Sequence, residues 1–275
     1  MPRFAANLTM LFTEVPVLDR IEHAVAAGFN AVELLFPYGE EIPALRERLE
    51  QTGLDLILIN LPAGNFAAGE RGFANDPRRT AEFREGVAAA LEIAAALNVP
   101  RFNCLTGLTL ADLSPEVQRA AAIENLTYAA EQSQAAGVRL GVEPLNPIDA
   151  PGFLISSTEE ALSLIDEVNH PNLDLQYDVY HAQRVEGNLT ATIAAAIGRI
   201  GHIQIADSPG RNQPGTGEIN YPYVLDAIDN AGYDGWISLE YTPRGGTERV
   251  TTALTPINAS SPILSGPITA LPGPR

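Results

Sequence analysis

Short apolar stretches alternate with longer amphipathic stretches along most of the chain. The short stretches are rich in β-branched residues, and this alternation is typical of strand–helix units that build a parallel sheet. We predict eight strands from this pattern: Phe4–Met10, Ala31–Phe36, Asp55–Leu61, Arg101–Thr106, Arg139–Leu145, Leu173–Tyr177, His202–Ala206 and Trp236–Tyr241.

The stretches between the strands carry apolar residues at helical spacing and are bounded by capping residues. Ser114 is a predicted N-cap, and Gly28 and Gly137 stand where helices end. Seven helices are predicted: Leu18–Ala27, Ile42–Gln51, Arg78–Leu97, Pro115–Ala136, Thr158–Val168, Leu189–Ile197 and Tyr223–Ala231.

Eight strands with seven intervening helices indicate an α/β fold of the (β/α)8 TIM-barrel type. The length of 275 residues is near the ~250 residues typical of such a barrel. No Gly-x-Gly-x-x-Gly follows the first strand, which disfavours a doubly wound dinucleotide-binding sheet. We therefore predict one catalytic domain over residues 1–254.

The C-terminal end departs from this pattern. After Tyr241 the chain offers at most a short helical turn over Thr247–Leu254, which predicts a truncated last helix. Residues 255–275 are rich in Pro, Ser, Thr and Gly and are predicted to form a disordered tail. A second copy of the chain, in a homo-oligomer, is the alternative way to complete the barrel.

Charge and composition exclude several classes of protein. The net charge is −17, and the one basic cluster is Arg78-Arg79, so we expect no nucleic-acid partner. No apolar run approaches the ~20 residues of a membrane span, and no signal segment is apparent, so we expect a soluble cytoplasmic protein. Cys104 is the single cysteine, which rules out an intrachain disulfide and fits a reducing compartment. All 17 basic residues are arginines, which excludes Schiff-base chemistry on lysine and a Walker-type phosphate loop.

Four polar residues stand near the ends of consecutive predicted strands where apolar residues are expected: Glu143, Asp178, Gln204 and Glu240. In a parallel barrel such positions meet at the catalytic mouth. Buried carboxylates that converge would repel one another, and a divalent cation removes that cost. An all-oxygen ligand set predicts Mg²⁺ or Mn²⁺ rather than Zn²⁺. The alternative is that each acid caps a helix or pairs with an arginine.

Glu143 and Glu240 lie on strands three apart in an eight-stranded ring, so they can flank a bound substrate. One carboxylate can remove a proton from a carbon beside a carbonyl while the other delivers a proton to the neighbouring carbon. This arrangement predicts aldose–ketose isomerisation of a small hydroxy-carbonyl compound through an enediol.

Four further residues are candidate substrate-binding groups. His181 follows the sixth strand and can hydrogen-bond a substrate oxygen. Arg71 and Arg211 lie in Gly-bearing loops after strands three and seven, where they can hold a carboxylate in a bidentate pair. Asp207 opens the second of these loops. For each arginine, the alternative role is an ion pair with a surface acid.

Several strings resemble the hydroxypyruvate isomerase family of the xylose-isomerase-like TIM barrels. They are Pro-Ala-Gly-Asn-Phe-Ala-Ala-Gly-Glu-Arg-Gly at 62–72, Gly-Val-Glu-Pro-Leu-Asn at 141–146, Leu-Gln-Tyr-Asp-Val-Tyr-His-Ala-Gln at 175–183, Gly-His-Ile-Gln-Ile-Ala-Asp at 201–207, Pro-Gly-Thr-Gly-Glu-Ile-Asn-Tyr at 214–221 and Gly-Trp-Ile-Ser-Leu-Glu-Tyr at 235–241. The likeness extends from about Phe4 to Tyr241, and the family's last helix is not evident beyond it.

This resemblance implies interconversion of hydroxypyruvate and tartronate semialdehyde, with related members acting on 2-oxo-tetronates. It implies Glu143 and Glu240 as the catalytic pair, and the same two residues with Asp178 and Gln204 as the metal site. The similar ketose 3-epimerases usually carry His where this chain has Gln204, so the glutamine favours the hydroxypyruvate branch.

Three other functions compete with this interpretation. A ketose 3-epimerase would share the barrel and the glutamates, but it would need no cation for a substrate carboxylate. An abasic-site endonuclease of the same superfamily needs several histidine ligands and a basic surface, whereas this chain has four histidines and a charge of −17. A catalytically dead barrel is disfavoured by the intact set of four candidate ligands.

Overall fold

A computed structural model describes residues 3–247, in which eight parallel strands close into a barrel. The strands are ordered as in the sequence, and β1 completes the ring by pairing with β8. The predicted (β/α)8 barrel is therefore confirmed. The strands are β1 (Arg3–Asn7), β2 (Ala31–Glu33), β3 (Asp55–Asn60), β4 (Arg101–Cys104), β5 (Arg139–Val142), β6 (Leu173–Asp178), β7 (Ile200–Ile205) and β8 (Trp236–Leu239).

The seven predicted helices are all present, within one or two residues of their predicted bounds, and an eighth, α6, was not predicted. Helix α6 follows β6 directly and begins where a carboxylate oxygen of Asp178 accepts the Tyr180 backbone N–H at 2.8 Å. It is too short for hydrophobic periodicity to reveal it. The α-helices are α1 (Val17–Ala26), α2 (Ile42–Thr52), α3 (Thr80–Leu97), α4 (Pro115–Ala135), α5 (Thr158–Val168), α6 (Val179–Val185), α7 (Leu189–Ala196) and α8 (Tyr221–Asn230).

Most strands end earlier than predicted. Strand β1 ends at Asn7 and β2 at Glu33, although the apolar pattern continues for three residues in each case. Leu8 and Leu34, which follow these strands, are 1% and 4% exposed, so burial persists after the ladder has ended. The segments beyond the strands thus form a packed rim around the mouth, from which side chains can reach its centre.

At the opposite end of the barrel, a buried carboxylate is paired with two arginines. The Asp174 carboxylate on β6 accepts hydrogen bonds from Arg101 at 2.6 Å and Arg139 at 3.0 Å. Gly201 on β7 leaves room for it, because a Cβ there would lie 2.2 Å from the carboxylate. Asp174 is therefore tightly packed at this end, and the cavity lined by the candidate site residues lies at the carboxyl ends of the strands.

The last described residues return to the first loop of the barrel. The Thr247 hydroxyl accepts the Phe12 backbone N–H at 2.9 Å and donates to Glu14 at 3.1 Å. Of the predicted turn over Thr247–Leu254, only Thr247 is described, and the predicted tail at 255–275 lies outside the described residues; the domain bounds stay predictions. Over residues 3–247, no helix combines the length and apolarity that a membrane crossing requires.

Candidate active site

A cavity of about 200 Å³ opens at the carboxyl ends of the strands. Its walls come from the segments that follow β2, β3, β4, β5, β7 and β8 and from α6, so most of the barrel contributes to one site. The polar residues that line it are Asn60, Arg71, Glu143, Asp149, His181, Arg211 and Glu240.

Three buried carboxylates and one guanidinium meet at the floor of this cavity. Glu143 and Glu240 each follow the last residue of a strand, and Asp178 ends β6. A terminal nitrogen of Arg211 lies 3.2 Å from Glu240 Oε2 and 3.6 Å from Asp178 Oδ2. If all are ionised, the group carries two excess negative charges in a site shielded from water.

Burial shifts the pKa values of these groups toward their uncharged forms. Desolvation raises the pKa of Glu240 to about 8, although Arg211 opposes the shift. Desolvation, with repulsion from Glu240 and Asp178, holds the pKa of Glu143 well above its ordinary value. Desolvation also raises the pKa of Asp178 above its ordinary value. Carboxyl groups in this condition can exchange protons near neutral pH.

The donor atoms also fit a divalent cation. Ligand atoms of Glu143, Asp178 and His181 lie within 4.8 Å of one another. Asp178 Oδ2 and Glu240 Oε2 are buried and have no hydrogen-bond partner within residues 3–247, apart from the ionic approach of Arg211. Convergent carboxylate oxygens without hydrogen-bond partners are the kind of ligand that hard cations such as Mg²⁺ and Mn²⁺ bind. The donor set therefore fits the predicted metal.

The hydrogen bond that holds His181 limits its role. The backbone N–H of Asn146 points at His181 Nδ1 at 3.0 Å, and a backbone N–H can only donate. Nδ1 is therefore an acceptor, and a neutral His181 carries its proton on Nε2. Burial keeps the ring neutral, because desolvation lowers the pKa of His181 well below its ordinary value. His181 thus presents an Nε2–H donor to the cavity, which fits the predicted contact with a substrate oxygen better than it fits cation binding.

Gln204 is close to the acids but committed to other partners. Its Nε2 donates to Glu33 at 3.0 Å, and its Oε1 accepts from Gln176 Nε2 at 2.7 Å. The same Gln176 Nε2 lies 3.1 Å from Glu143 Oε2. The Gln204 oxygen has a second lone pair, but none of these bonds directs it at a cation, so its role as a ligand stays a prediction.

The two predicted anion-binding loops differ in what their charged residues do. Arg71 lines the cavity and stacks on Phe66, with its guanidinium carbon 3.8 Å from the ring centroid. Asp207 instead organises its own loop, because its carboxylate accepts the backbone N–H groups of Ser208, Gly215, Thr216, Gly217 and Ile219. Its predicted contact with substrate stays a prediction, and these bonds account for its burial.

Several buried polar residues were missed at the sequence level, among them Glu33 and Asn60. Glu33 ends β2 and pairs with His202 across the barrel interior. Asn60 ends β3 and lines the cavity. Asn60 lies near the end of the predicted strand Asp55–Leu61, so the strand-end signal could have found it, whereas Glu33 lies in the middle of the predicted strand Ala31–Phe36 and that signal could not.

Comparison with known proteins agrees with this fold. Residues 21–257 match the family described as xylose isomerase-like TIM barrel. Hydroxypyruvate isomerase of Escherichia coli K12 is 50% identical over 90% of this chain and 96% of its own length. The 2-oxo-tetronate isomerase of Cupriavidus necator is 45% identical over 90% of this chain and 95% of its own length.

Solved structures show the same fold. A crystal structure described as an AP endonuclease, family 2, from Brucella melitensis has a TM-score of 0.90 and 42% identity, covering 93% of this chain and 99% of that one. The D-allulose 3-epimerase of Methylomonas sp. in complex with D-allulose has a TM-score of 0.73 at 22% identity, covering 92% of this chain and 89% of that one, a likeness of fold alone.

A closed parallel barrel with buried acids at its mouth defines the class of xylose isomerase-like barrels. Within that class, the chain belongs to the hydroxypyruvate isomerase family. The predictions of this family and of an isomerase are thereby confirmed.

Proposed function

We propose that the protein interconverts hydroxypyruvate and tartronate semialdehyde. The observation that carries the proposal is the pair of buried glutamates, Glu143 and Glu240, which face one small cavity and have raised pKa values. The relative from Escherichia coli that is named for this activity, at 50% identity, supports the choice of substrate.

The two glutamates divide the proton transfer between neighbouring carbons. One carboxylate takes a proton from C3 of hydroxypyruvate, and the electron pair of that C–H bond forms the C2–C3 double bond of an enediol. The other glutamate, in its protonated form, gives a proton to C2. The hydroxyl proton on O3 moves to O2, which leaves an aldehyde at C3. The roles reverse in the opposite direction, as microscopic reversibility requires.

His181 and the buried acids prepare the site for this step. The Nε2–H of His181 is placed to donate a hydrogen bond to a substrate oxygen on which negative charge develops. Glu143, Asp178 and Glu240 would hold Mg²⁺ or Mn²⁺, with Gln204 as the further predicted ligand. When bound, the cation polarises the carbonyl group and stabilises the enediolate.

A 2-oxo-tetronate is the second candidate substrate, because relatives named 2-oxo-tetronate isomerase are 45% identical to this chain. It carries one more carbon and would undergo the same proton transfer. An endonuclease activity is disfavoured: within residues 3–247, His181 is the one histidine that lines the cavity, and the chain carries a charge of −17. The same charge and the single buried cysteine support a small-molecule partner and a cytoplasmic location.

The proposal is tested by incubating the purified protein with hydroxypyruvate and, in parallel, with a 2-oxo-tetronate, in EDTA, Mg²⁺ or Mn²⁺. Proton NMR reports the products. We expect tartronate semialdehyde to appear in the presence of a cation and to be lost in Glu240→Gln. No conversion of hydroxypyruvate under any of these conditions, with turnover of the longer acid, would move the assignment to 2-oxo-tetronates.

A further inference from the structure

The walls of the cavity fall into two parts of opposite character. The wall built by β5 to β8 and the segments after them carries every carboxylate that lines the cavity. The opposite wall, which we call the β2–β4 wall, carries none. It consists of Leu35, Phe36, Asn60, Phe66, Arg71 and Leu105.

Arg71 is the unpaired cation of the cavity. One terminal nitrogen donates to the backbone oxygens of Phe66 at 3.1 Å and Glu70 at 2.8 Å, and within residues 3–247 no carboxylate lies within ion-pair distance of it. Arg211, by contrast, is already opposed by Asp178 and Glu240. The charge of Arg71 is therefore the one still available to an anion.

The loop that carries Arg71 is held in place by its own contacts. The Glu70 carboxylate accepts the backbone N–H of Asn65 and forms an ion pair with Arg79. The Phe66 ring, on which Arg71 stacks, has its centroid 5.1 Å from that of Phe36, three residues after the end of β2. A guanidinium fixed in this way loses less side-chain entropy when it binds a carboxylate.

Asn60 adds a side-chain oxygen without a hydrogen-bond partner to the same wall. Both backbone groups of Asn60 are hydrogen-bonded. The N–H donates to the Leu35 backbone oxygen at 2.8 Å, and the C=O accepts a hydrogen bond from the Tyr38 hydroxyl at 2.6 Å. Its side chain is different: the residue is 3% exposed, and Oδ1 has no hydrogen-bond partner within the described part of the chain. A buried carbonyl oxygen without a partner is costly, so Oδ1 indicates a ligand that donates a hydrogen bond to it, and the amide itself adds no negative charge to this wall.

We propose that the β2–β4 wall is the subsite for the substrate's carboxylate group, with Arg71 as its counter-charge and the uncharged Asn60 side chain beside it. The inference rests on the proposed function, and it fixes the orientation of the substrate. The carboxylate lies against the β2–β4 wall, and C2 and C3 lie between Glu143 and Glu240. The subsite selects 2-oxo acids over neutral ketoses, and it allows an acid-rich mouth to accept an anion.

Binding of pyruvate tests the subsite without requiring turnover. Pyruvate keeps the 2-oxo acid but lacks the C3 hydroxyl, so it cannot be isomerised; hydroxyacetone is its neutral counterpart, with CH₂OH in place of the carboxylate. Titration calorimetry would compare both ligands with the Mn²⁺-loaded wild type, Arg71→Met, Asn60→Asp and Arg46→Met. Arg46 is a matched control, because it pairs with Glu50 on the exposed side of α2.

We expect Arg71→Met to weaken pyruvate binding by ~10–100-fold, the range of a lost charge-assisted hydrogen bond. Asn60→Asp should weaken it by ~10-fold, because it places an isosteric negative charge beside the carboxylate. Both variants should change hydroxyacetone binding far less, and Arg46→Met should leave both ligands unaffected. With hydroxypyruvate, both should raise KM more than they lower kcat.

Pyruvate affinity that is unchanged in both folded variants, as judged by circular dichroism melts, would overturn the subsite. A loss of affinity that is equal for pyruvate and hydroxyacetone would also overturn it. A wild type that binds pyruvate through Arg71 but does not convert hydroxypyruvate would support the subsite and reject the proposed function, so the two failures are distinguishable.

Discussion

The two walls of the cavity differ in charge although they belong to one closed sheet. The β5–β8 side buries Glu143, Asp178 and Glu240 around a single guanidinium. Within residues 3–247, the β2–β4 wall has one guanidinium without a carboxylate partner and one amide oxygen without a hydrogen-bond donor. Because a parallel barrel brings every strand end to the same mouth, neighbouring strands can supply proton transfer on one side and recognition on the other. The difference teaches that the two tasks can be separated by mutation.

The largest expected effect is on the acid side. Glu143→Gln and Glu240→Gln each remove a proton carrier without changing side-chain shape. We expect kcat for hydroxypyruvate to fall by roughly 10²–10⁴-fold in each, with KM changed much less. Steady-state kinetics checks this, and Mn²⁺ titration of each variant controls for lost metal. If both variants kept a kcat near that of the wild type, the assignment of proton transfer to the β5–β8 side would be wrong.

Arg211→Met should have the next largest effect. It leaves Asp178 and Glu240 without their counter-charge in a buried site, so we expect kcat/KM to fall on the order of 100-fold. Unlike Arg71→Met, it should depress turnover of hydroxypyruvate and the neutral dihydroxyacetone alike. If Arg211→Met abolished discrimination between the two substrates, the β5–β8 side would recognise the carboxylate. The assignment of recognition to the β2–β4 wall would then be wrong.

The loop that carries Arg71 can be disturbed without touching the arginine. Gly72 has φ +89°, and a Cβ there would lie 1.8 Å from the Leu105 backbone oxygen. We expect Gly72→Ala to lower the free energy of unfolding by about 2–3 kcal/mol and to raise KM for hydroxypyruvate. Gly69→Ala is the matched control, because Gly69 has φ +98° and no atom within 4 Å of its Cβ position. Urea denaturation of both variants measures the difference, and equal losses would show that only backbone strain matters.

The smallest expected effect is a pH dependence of stability in the metal-free protein. Burial raises the pKa of Glu240 from 4.5 to about 8, so between these values the folded state binds a proton that the unfolded state has released. Stability then falls as pH rises through this window. His181 contributes with the opposite sign, but only below its ordinary pKa of 6.5.

Between pH 6.5 and 8 the carboxyl contribution should therefore dominate, with a slope on the order of 1 kcal/mol per pH unit. Urea denaturation in EDTA measures it. Mn²⁺ or the Glu240→Gln substitution should flatten the slope. A metal-free stability that rises over this range would contradict the raised pKa.

The strands and most helices could be predicted because their buried apolar residues recur at the spacing typical of each element. The acids could be predicted for a related reason: Glu143 and Glu240 interrupt apolar strands, where charge is costly. Strand ends were overestimated since residues such as Leu8 stay buried after the hydrogen-bonded ladder has ended. Helix α6 is too short to show a period.

The partners of these residues could not be predicted in the same way. The Glu33–His202 pair joins residues 169 positions apart, and only closure of the barrel brings them together. The tautomer of His181 depends on one backbone N–H of Asn146, which the sequence does not encode locally. The different states of Arg71 and Arg211 likewise depend on which acids each meets in three dimensions.

The central claim, that two glutamates divide the proton transfer, is tested most directly by NMR of hydroxypyruvate in D₂O with Glu143→Gln and Glu240→Gln, each loaded with Mn²⁺ or Mg²⁺. The variant that keeps the base should exchange the C3 protons for deuterium without forming tartronate semialdehyde, and the other should do neither. Net isomerisation that survives in either variant, or loss of exchange in both while the cation remains bound, would contradict the account.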